Sequence, residues 1–364
     1  GPFYEQPYAR SGQGTAWDGL SKYDLTKYNP WYFERLREFA ARADRNGLVL
    51  KNEHYLQHNI LEAGAHWAEY PWRSANNVNE TGFPEPVPYA GNKRVFMAEQ
   101  FYDVAHARRA AIHRAYFRHH LDNFPENAGV LHSLSGEYTG PLHFMRFWLD
   151  AIGEWQQEKG RDVNVMLSAT KDVEDAVLAD PKRAALVDVI DIQYWFYRAD
   201  GSLYAPKGGL NLSPRQHARQ VAPGETSAAQ VYRAVKEYRG RYPNKAVICS
   251  AAGAREYPWA VRIAGGSLPV VPQVDDPGFA AAAARMKPVD TASDAYLMAG
   301  AEGEGYLVCP LRDGTIGVNV PKGRYERLVI DAKTGKIVSR KRVNVSGEMA
   351  ELPMNVGTVV WLKR

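Results

Sequence analysis

From residue 129 onward the chain repeats one unit: a short apolar run, a turn, then an amphipathic stretch with helical spacing. Apolar runs at 129–134, 163–168, 188–194, 246–250 and 268–272 alternate with helical patterns at 141–159, 172–180, 226–241, 256–264 and 277–286. Upstream, Asn29-Pro30 supplies an N-cap followed by proline at the first helical position, and Phe33, Leu36, Phe39, Ala40 and Ala43 form an apolar stripe that stops at Gly47. A strand then starts at Leu48–Leu50 and ends in Lys51-Asn52-Glu53-His54, and a helix over about 105–123 leads to the run at 129. Six strand–helix units with short apolar strands predict a parallel α/β sheet or barrel. A closed (β/α)8 barrel needs eight. The expectation is therefore a (β/α)8-type barrel lacking its first two strands in this chain, with an N-terminal segment or a second chain completing it. The competing expectation is that residues 1–28 hide a short strand and the barrel is irregular.

After about Asp294 the period changes to two. Tyr306–Cys309, Thr315–Val320, Arg327–Ile330 and Thr358–Trp361 read as strands, and Asp313-Gly314 and Thr334-Gly335 as hairpin turns. The predicted organisation is a catalytic barrel over 1–290 and a small antiparallel β-sandwich over 294–364.

Net charge is +4 with Lys and Arg dispersed, which does not make the concentrated basic face of a nucleic-acid binder. No apolar run reaches the roughly 18 residues of a membrane span. Cys249 and Cys309 match no metal spacing and read as free, buried thiols. The Gly1-Pro2 start resembles a protease-cleavage scar, and the expected location is periplasmic or secreted, with a leader removed. The high aromatic content, 12%, suits stacking on sugar rings as well as filling a core.

Candidate chemistry gathers where strands end, the face of a barrel that carries active sites. The run 129–134 breaks at Ser135-Gly136 and puts Glu137 at its lip, before Tyr138-Thr139-Gly140-Pro141 turns into the next helix. A Glu placed there is a candidate general acid; the plainer reading is an acid capping the helix N-terminus. The long segment 55–99 exceeds an ordinary connection. His54 at its entry and its His58, Asn59, Glu62, His66, Trp72, Arg73 and Asn76 combine groups that bond sugar hydroxyls, stack on rings or pair with anions. They equally suit a loop pinned to itself. The three histidines match no metal motif, and neither metal nor cofactor is expected. Lys171 and Asp172 follow the run 163–168, with Thr170 a possible cap, while Asp191, Tyr194 and Trp195 close the run 188–194. Asn211, Arg215 and His217 lie in NLSPRQHAR. His106, His113, His119 and His120 read as outer-face residues of the helix before Glu137.

The segments SGQGTAWDGLSKYDLTKYNPWYF, QHNILEAGAHWAEYPWR, GEYTGPLHF, SATKDVEDAVLADP, DIQYWFYRADGSLYAP and NLSPRQHAR span most of residues 11–220. With the architecture and Glu137, they make the chain resemble bacterial barrel glycoside hydrolases with a C-terminal β-sandwich. These belong to the large retaining clan whose acid/base Glu follows strand four. The chain is most similar to uncharacterised polysaccharide-utilisation proteins of gut and environmental bacteria. The resemblance implies hydrolysis of a glycosidic bond in a plant or algal polysaccharide, or an oligosaccharide from one, with Glu137 as acid. The clan's nucleophile would stand at the end of strand seven, where this sequence reads Ile248-Cys249-Ser250-Ala251-Ala252-Gly253, without a carboxylate. Candidates for the second carboxylate are Glu62, Asp172, Glu256 and Asp191, and the vacancy at strand seven favours inversion. Two other readings use the same residues. A polysaccharide lyase acting on a uronate would take its base from His58, His66 or Tyr138 and its cation from Arg73 or Lys171. A non-catalytic carbohydrate-binding relic would dispense with Glu137.

Overall fold

The computed structural model describes residues 6–61, 66–85, 97–126, 129–289, 294–300 and 305–364. Contacts divide the chain into two compact units: Gly1–Trp195 with Tyr204–Pro223, and Phe196–Leu203 with Gly224–Arg364. The domain boundary expected at 290–294 falls inside the second unit. The α/β-plus-β class holds.

The first unit opens with an antiparallel pair, β1 (Tyr8–Arg10) and β2 (Tyr23–Tyr28), within residues 1–28, where the competing expectation placed a hidden short strand. Asn29 caps α1 (Pro30–Arg45) by accepting from the Trp31 amide, and Phe33, Ala40 and Ala43 are its buried stripe. Parallel strands β3 (Leu50–Leu56), β4 (Val130–Gly136), β5 (Asn164–Leu167) and β6 (Val189–Ile192) then pair in chain order. Between β3 and β4 lie the short helices α2 (His58–Leu61) and α3 (Ala98–Phe101) and the long α4 (Ala107–Asp122). The later crossovers are α5 (Leu142–Lys159), α6 (Lys171–Leu178) and α7 (Pro181–Ala184), and α8 (Pro214–Gln220) follows. Helix α5 buries Phe144, Met145, Trp148, Leu149, Ile152 and Trp155 at helical spacing, and Gly160 ends it in the left-handed conformation.

One face of this sheet is sealed by rings. Trp148 of α5 donates its indole N–H to His54 Nδ1 at 3.2 Å, and His54 Nε2 stands 3.2 Å from His132 Nδ1. An indole N–H only donates, so His54 carries its proton on Nε2 and passes the bond to His132. Asn52 donates to His120 Nδ1 at 3.2 Å, and the His54 and His120 rings stack at 4.6 Å. His113 and His120 are both fully buried, which corrects their expected outer-face placement. Among aromatic neighbours a neutral imidazole packs as a flat ring with one donor and one acceptor. His119 stacks on Tyr28, and His106 caps α4.

In the second unit, helix 228–241 and strand 246–249 appear as expected. No strand forms at 268–272. Pro269 and Pro272 lack donors for a ladder, Val270 is exposed, and Leu268 has a left-handed φ of 50°. A six-stranded antiparallel sheet runs in the order 287–289, 295–299, 306–310, 358–363, 323–331, 337–345. One face packs Leu307, Leu328 and Trp361 on Trp259, Ile263 and Phe279 of helices 258–263 and 279–285. The other packs Val308, Val360 and Leu362 on the pair 314–319 and 349–354. Cys249 and Cys309 are half-buried rather than fully buried, and neither forms a disulfide.

Candidate active site

Glu137 follows the last residue of β4 with a φ of 57°, in the left-handed region that an ordinary side chain occupies at a cost of about 1–3 kcal/mol. Gln57, just past β3 and 1% exposed, holds it there. Its Nε2 donates to the Glu137 carbonyl at 2.6 Å and to Thr139 Oγ1 at 2.8 Å, while its Oε1 accepts from the Thr139 amide at 2.8 Å. Three bonds from one rigid side chain over-determine the turn, and the Glu137 carboxyl is thrown outward, 45% exposed. His58 at the start of α2 meets it, Nε2 to Oε2 at 2.9 Å. His66, exposed, places its ring 6.2 Å from that of His58.

The same lip collects acids from three strands. Burial raises the Tyr194 hydroxyl above its ordinary range, and the charges of Glu137, Asp191, Glu53 and Glu174 raise it further. Tyr194 Oη is buried with no hydrogen-bond partner among the described residues. Asp191 is 4% exposed and accepts from Ser168 Oγ at 3.2 Å. Glu174 is fully buried, accepting from the Ala169 amide at 3.1 Å and from Trp195 Nε1 at 2.9 Å. Glu53 lies on the sheet face opposite Asn52 and His54, as strand alternation requires. A Cβ at Gly136 would stand 3.0 Å from the Glu53 carboxyl carbon, so that carboxylate abuts the residue before Glu137.

The structure thus gathers Glu137, His58, His66, Asp191 and Tyr194 at or near one lip, with Asn59 half-exposed on α2. Other expected residues have different employment. His54 and Trp72 are corrected from sugar contacts to core. His54 belongs to the ring cluster above, and Trp72, 0% exposed, donates to Tyr8 Oη at 3.0 Å and stacks on His113. Asn76 pins its loop by donating to the Ala68 and Tyr70 carbonyls. Arg73 pairs with Glu85 at 2.7 Å. Both oxygens of Asp172 accept from the Gly208 amide at 3.2 Å, fastening the 205–212 loop, and His217 is buried close enough to feel the Asp172 charge. Lys171 lies 4.2 Å over the Trp195 ring and 3.1 Å from Asp175, while the fully buried Trp195 presents no free face to a sugar. Arg215 is exposed on α8. Glu62 lies outside the described residues. Glu256 belongs to the second unit and is exposed.

Sequence reasoning missed Gln57 and Glu53. Glu53 had a signal, since Lys51 and Glu53 alternate with Asn52 and His54 on a strand running toward the lip. Gln57 had none, because its three partners lie about 80 residues away.

Twelve solved chains match this one. One is described as a glycoside hydrolase, with a TM-score of 0.45 and 11% identity, covering 71% of each chain. Another is a glycoside hydrolase family 5 protein from Bacteroides vulgatus ATCC 8482, with a TM-score of 0.45 and 12% identity, covering 70% of this chain and 66% of the other. No curated protein matches the chain. The family described as a domain of unknown function, DUF6298, matches residues 1–286, and the chain belongs to that family.

Proposed function

We propose that the protein is a glycoside hydrolase acting on a plant or algal polysaccharide, or an oligosaccharide from one, with Glu137 as the general acid. The observation that carries this reading is the strained, clamped backbone of Glu137 at the C-terminal end of a parallel strand. Strain of this kind persists where the surroundings over-determine it, and it gathers at functional sites. Here it presents an exposed carboxyl, bonded to His58, beside other acids. Glu137 gives its proton to the departing glycosidic oxygen. A second carboxylate on the same lip serves the anomeric side, either as nucleophile or as base for water, and their separation sets the stereochemistry: about 5–5.5 Å for retention and about 6.5–9.5 Å for inversion. The reading includes a (β/α)8-type barrel architecture, a periplasmic or secreted location and no cofactor.

The lyase reading is less well supplied. Tyr138 is buried and donates to the Pro141 carbonyl at 2.7 Å, and Arg73 and Lys171 are each paired with an acid. The test is incubation of the protein and its Glu137→Gln variant with plant and algal polysaccharides, with products read by mass spectrometry. Products one water heavier per cleavage, lost in the variant, support the proposal. Unsaturated products favour the lyase, and sugar binding without products favours the relic.

A further inference from the structure

We infer that Glu53 is the second catalytic carboxylate of this site. The inference rests on the hydrolase reading and assigns the role that reading leaves open. Four acids bear on Tyr194, and two of them are spent: Glu174 accepts from Ala169 and Trp195 in a fully buried setting, and Asp191 is buried against Ser168. Asp172 is tied to the Gly208 amide through both oxygens. Glu53 differs from all three. It stands on β3, the strand paired with the one that ends at Glu137, and its side chain is 36% exposed. Lys51 Nζ pairs with Oε1 at 3.0 Å, and the carboxylate lies against Gly136, the residue before Glu137. Glu53 and Glu137 thus belong to neighbouring strands of one parallel sheet, which lie about 4.8 Å apart.

In the inverting form, water attacks the anomeric carbon as the bond to the glycosidic oxygen breaks. The proton of that water goes to the Glu53 carboxylate, and the proton of Glu137 goes to the departing oxygen. One C–O bond forms and one breaks, and exchange with solvent restores both carboxyl groups.

The experiment compares Glu53→Gln, Glu53→Asp and Glu137→Gln with the parent protein on a polysaccharide panel and on 2,4-dinitrophenyl glycosides, with a melting curve for each. The dinitrophenolate leaves without a proton, so Glu137→Gln loses activity on polysaccharide and keeps most of it on the activated glycosides. Glu53→Gln is expected to lose about 10²–10⁴-fold in kcat/KM on both, the scale of general base catalysis. A well-folded Glu53→Gln within tenfold of the parent on both substrates, beside a Glu137→Gln inactive on polysaccharide, overturns the inference and leaves the hydrolase reading standing. The Glu53 charge then serves only the sheet beside Lys51. If Glu53→Gln does not fold, Glu53→Asp decides. A kcat at least tenfold lower at unchanged KM supports the role, and an unchanged kcat overturns it. A parent protein that cleaves neither the polysaccharides nor the activated glycosides overturns the hydrolase reading and this inference with it.

Discussion

Gln57 donates its side-chain amide to the carbonyl of Glu137, 80 residues further along the chain, at 2.6 Å. This bond joins the ends of two neighbouring parallel strands and fixes the direction in which the carboxyl of Glu137 leaves the sheet. The clamp also takes the Thr139 amide and hydroxyl, while that hydroxyl donates to the Leu212 carbonyl and the Thr139 carbonyl accepts from the Gly209 amide, so the turn between β4 and α5 is held from two sides.

Replacing Gln57 with Leu keeps the volume and removes the bonds. The Thr139 amide is then left buried without its acceptor, a loss of about 1–3 kcal/mol. Freed from its clamp, the Glu137 turn relaxes out of the left-handed region. The expected outcome is a lower melting temperature and a kcat that falls more than KM rises, measured on any substrate the parent cleaves.

Glu137 itself trades stability for its position. A glycine adopts φ 57° without a Cβ penalty, so Glu137→Gly is expected to be at least as stable as the parent, with a gain of up to about 1 kcal/mol. The half-exposed pair with His58 subtracts little from this. Activity on polysaccharide disappears in the same variant. A chemical denaturation curve beside an activity assay checks both; a Glu137→Gly protein markedly less stable than its parent contradicts the account of strain.

The strand–turn–helix unit around Glu137 was legible because its signals are local: an apolar run, Ser135-Gly136, then an amphipathic stripe. The clamp was not, since nothing near Gln57 in sequence identifies its partners. Trp72 and His54 misled for a related reason. A histidine or tryptophan in a long polar segment looks like a ligand until burial is known, and here the segment folds its rings inward against α4 and α5. The expected strand at 268–272 failed because apolar character outweighed Pro269 and Pro272, whose missing donors decide against a ladder.

Trp72 therefore behaves as a core residue. Trp72→Phe leaves the Tyr8 hydroxyl, now bonded at 3.0 Å, without its donor in a buried place. A destabilisation of about 1–3 kcal/mol is expected, with KM unchanged in the folded fraction. A large rise in KM at unchanged stability would return Trp72 to the binding surface.

The ring cluster beneath the sheet gives the fold its acid limit. Burial lowers His54 and His120 well below the usual histidine range, with the neighbouring imidazoles adding to it; it lowers His132 to about 4 and His113 to about 3. In the unfolded chain these groups titrate near 6.5. Above that pH both states are neutral and the cluster adds no pH dependence. Below it the unfolded chain takes up protons that the folded protein refuses, so stability falls as pH drops from about 6.5 toward 4. Each histidine contributes a slope of up to about 1.4 kcal/mol per pH unit. Below about 4 the slope from His132 vanishes as the folded protein protonates too. Denaturation midpoints followed from pH 8 to pH 4 are expected to be flat at the top and steep below 6.5. His132→Gln, which keeps a polar side chain in the cluster but cannot titrate, should make that fall shallower by the share of one histidine. An unchanged slope in this variant would show that the folded protein protonates His132 as readily as the unfolded chain does.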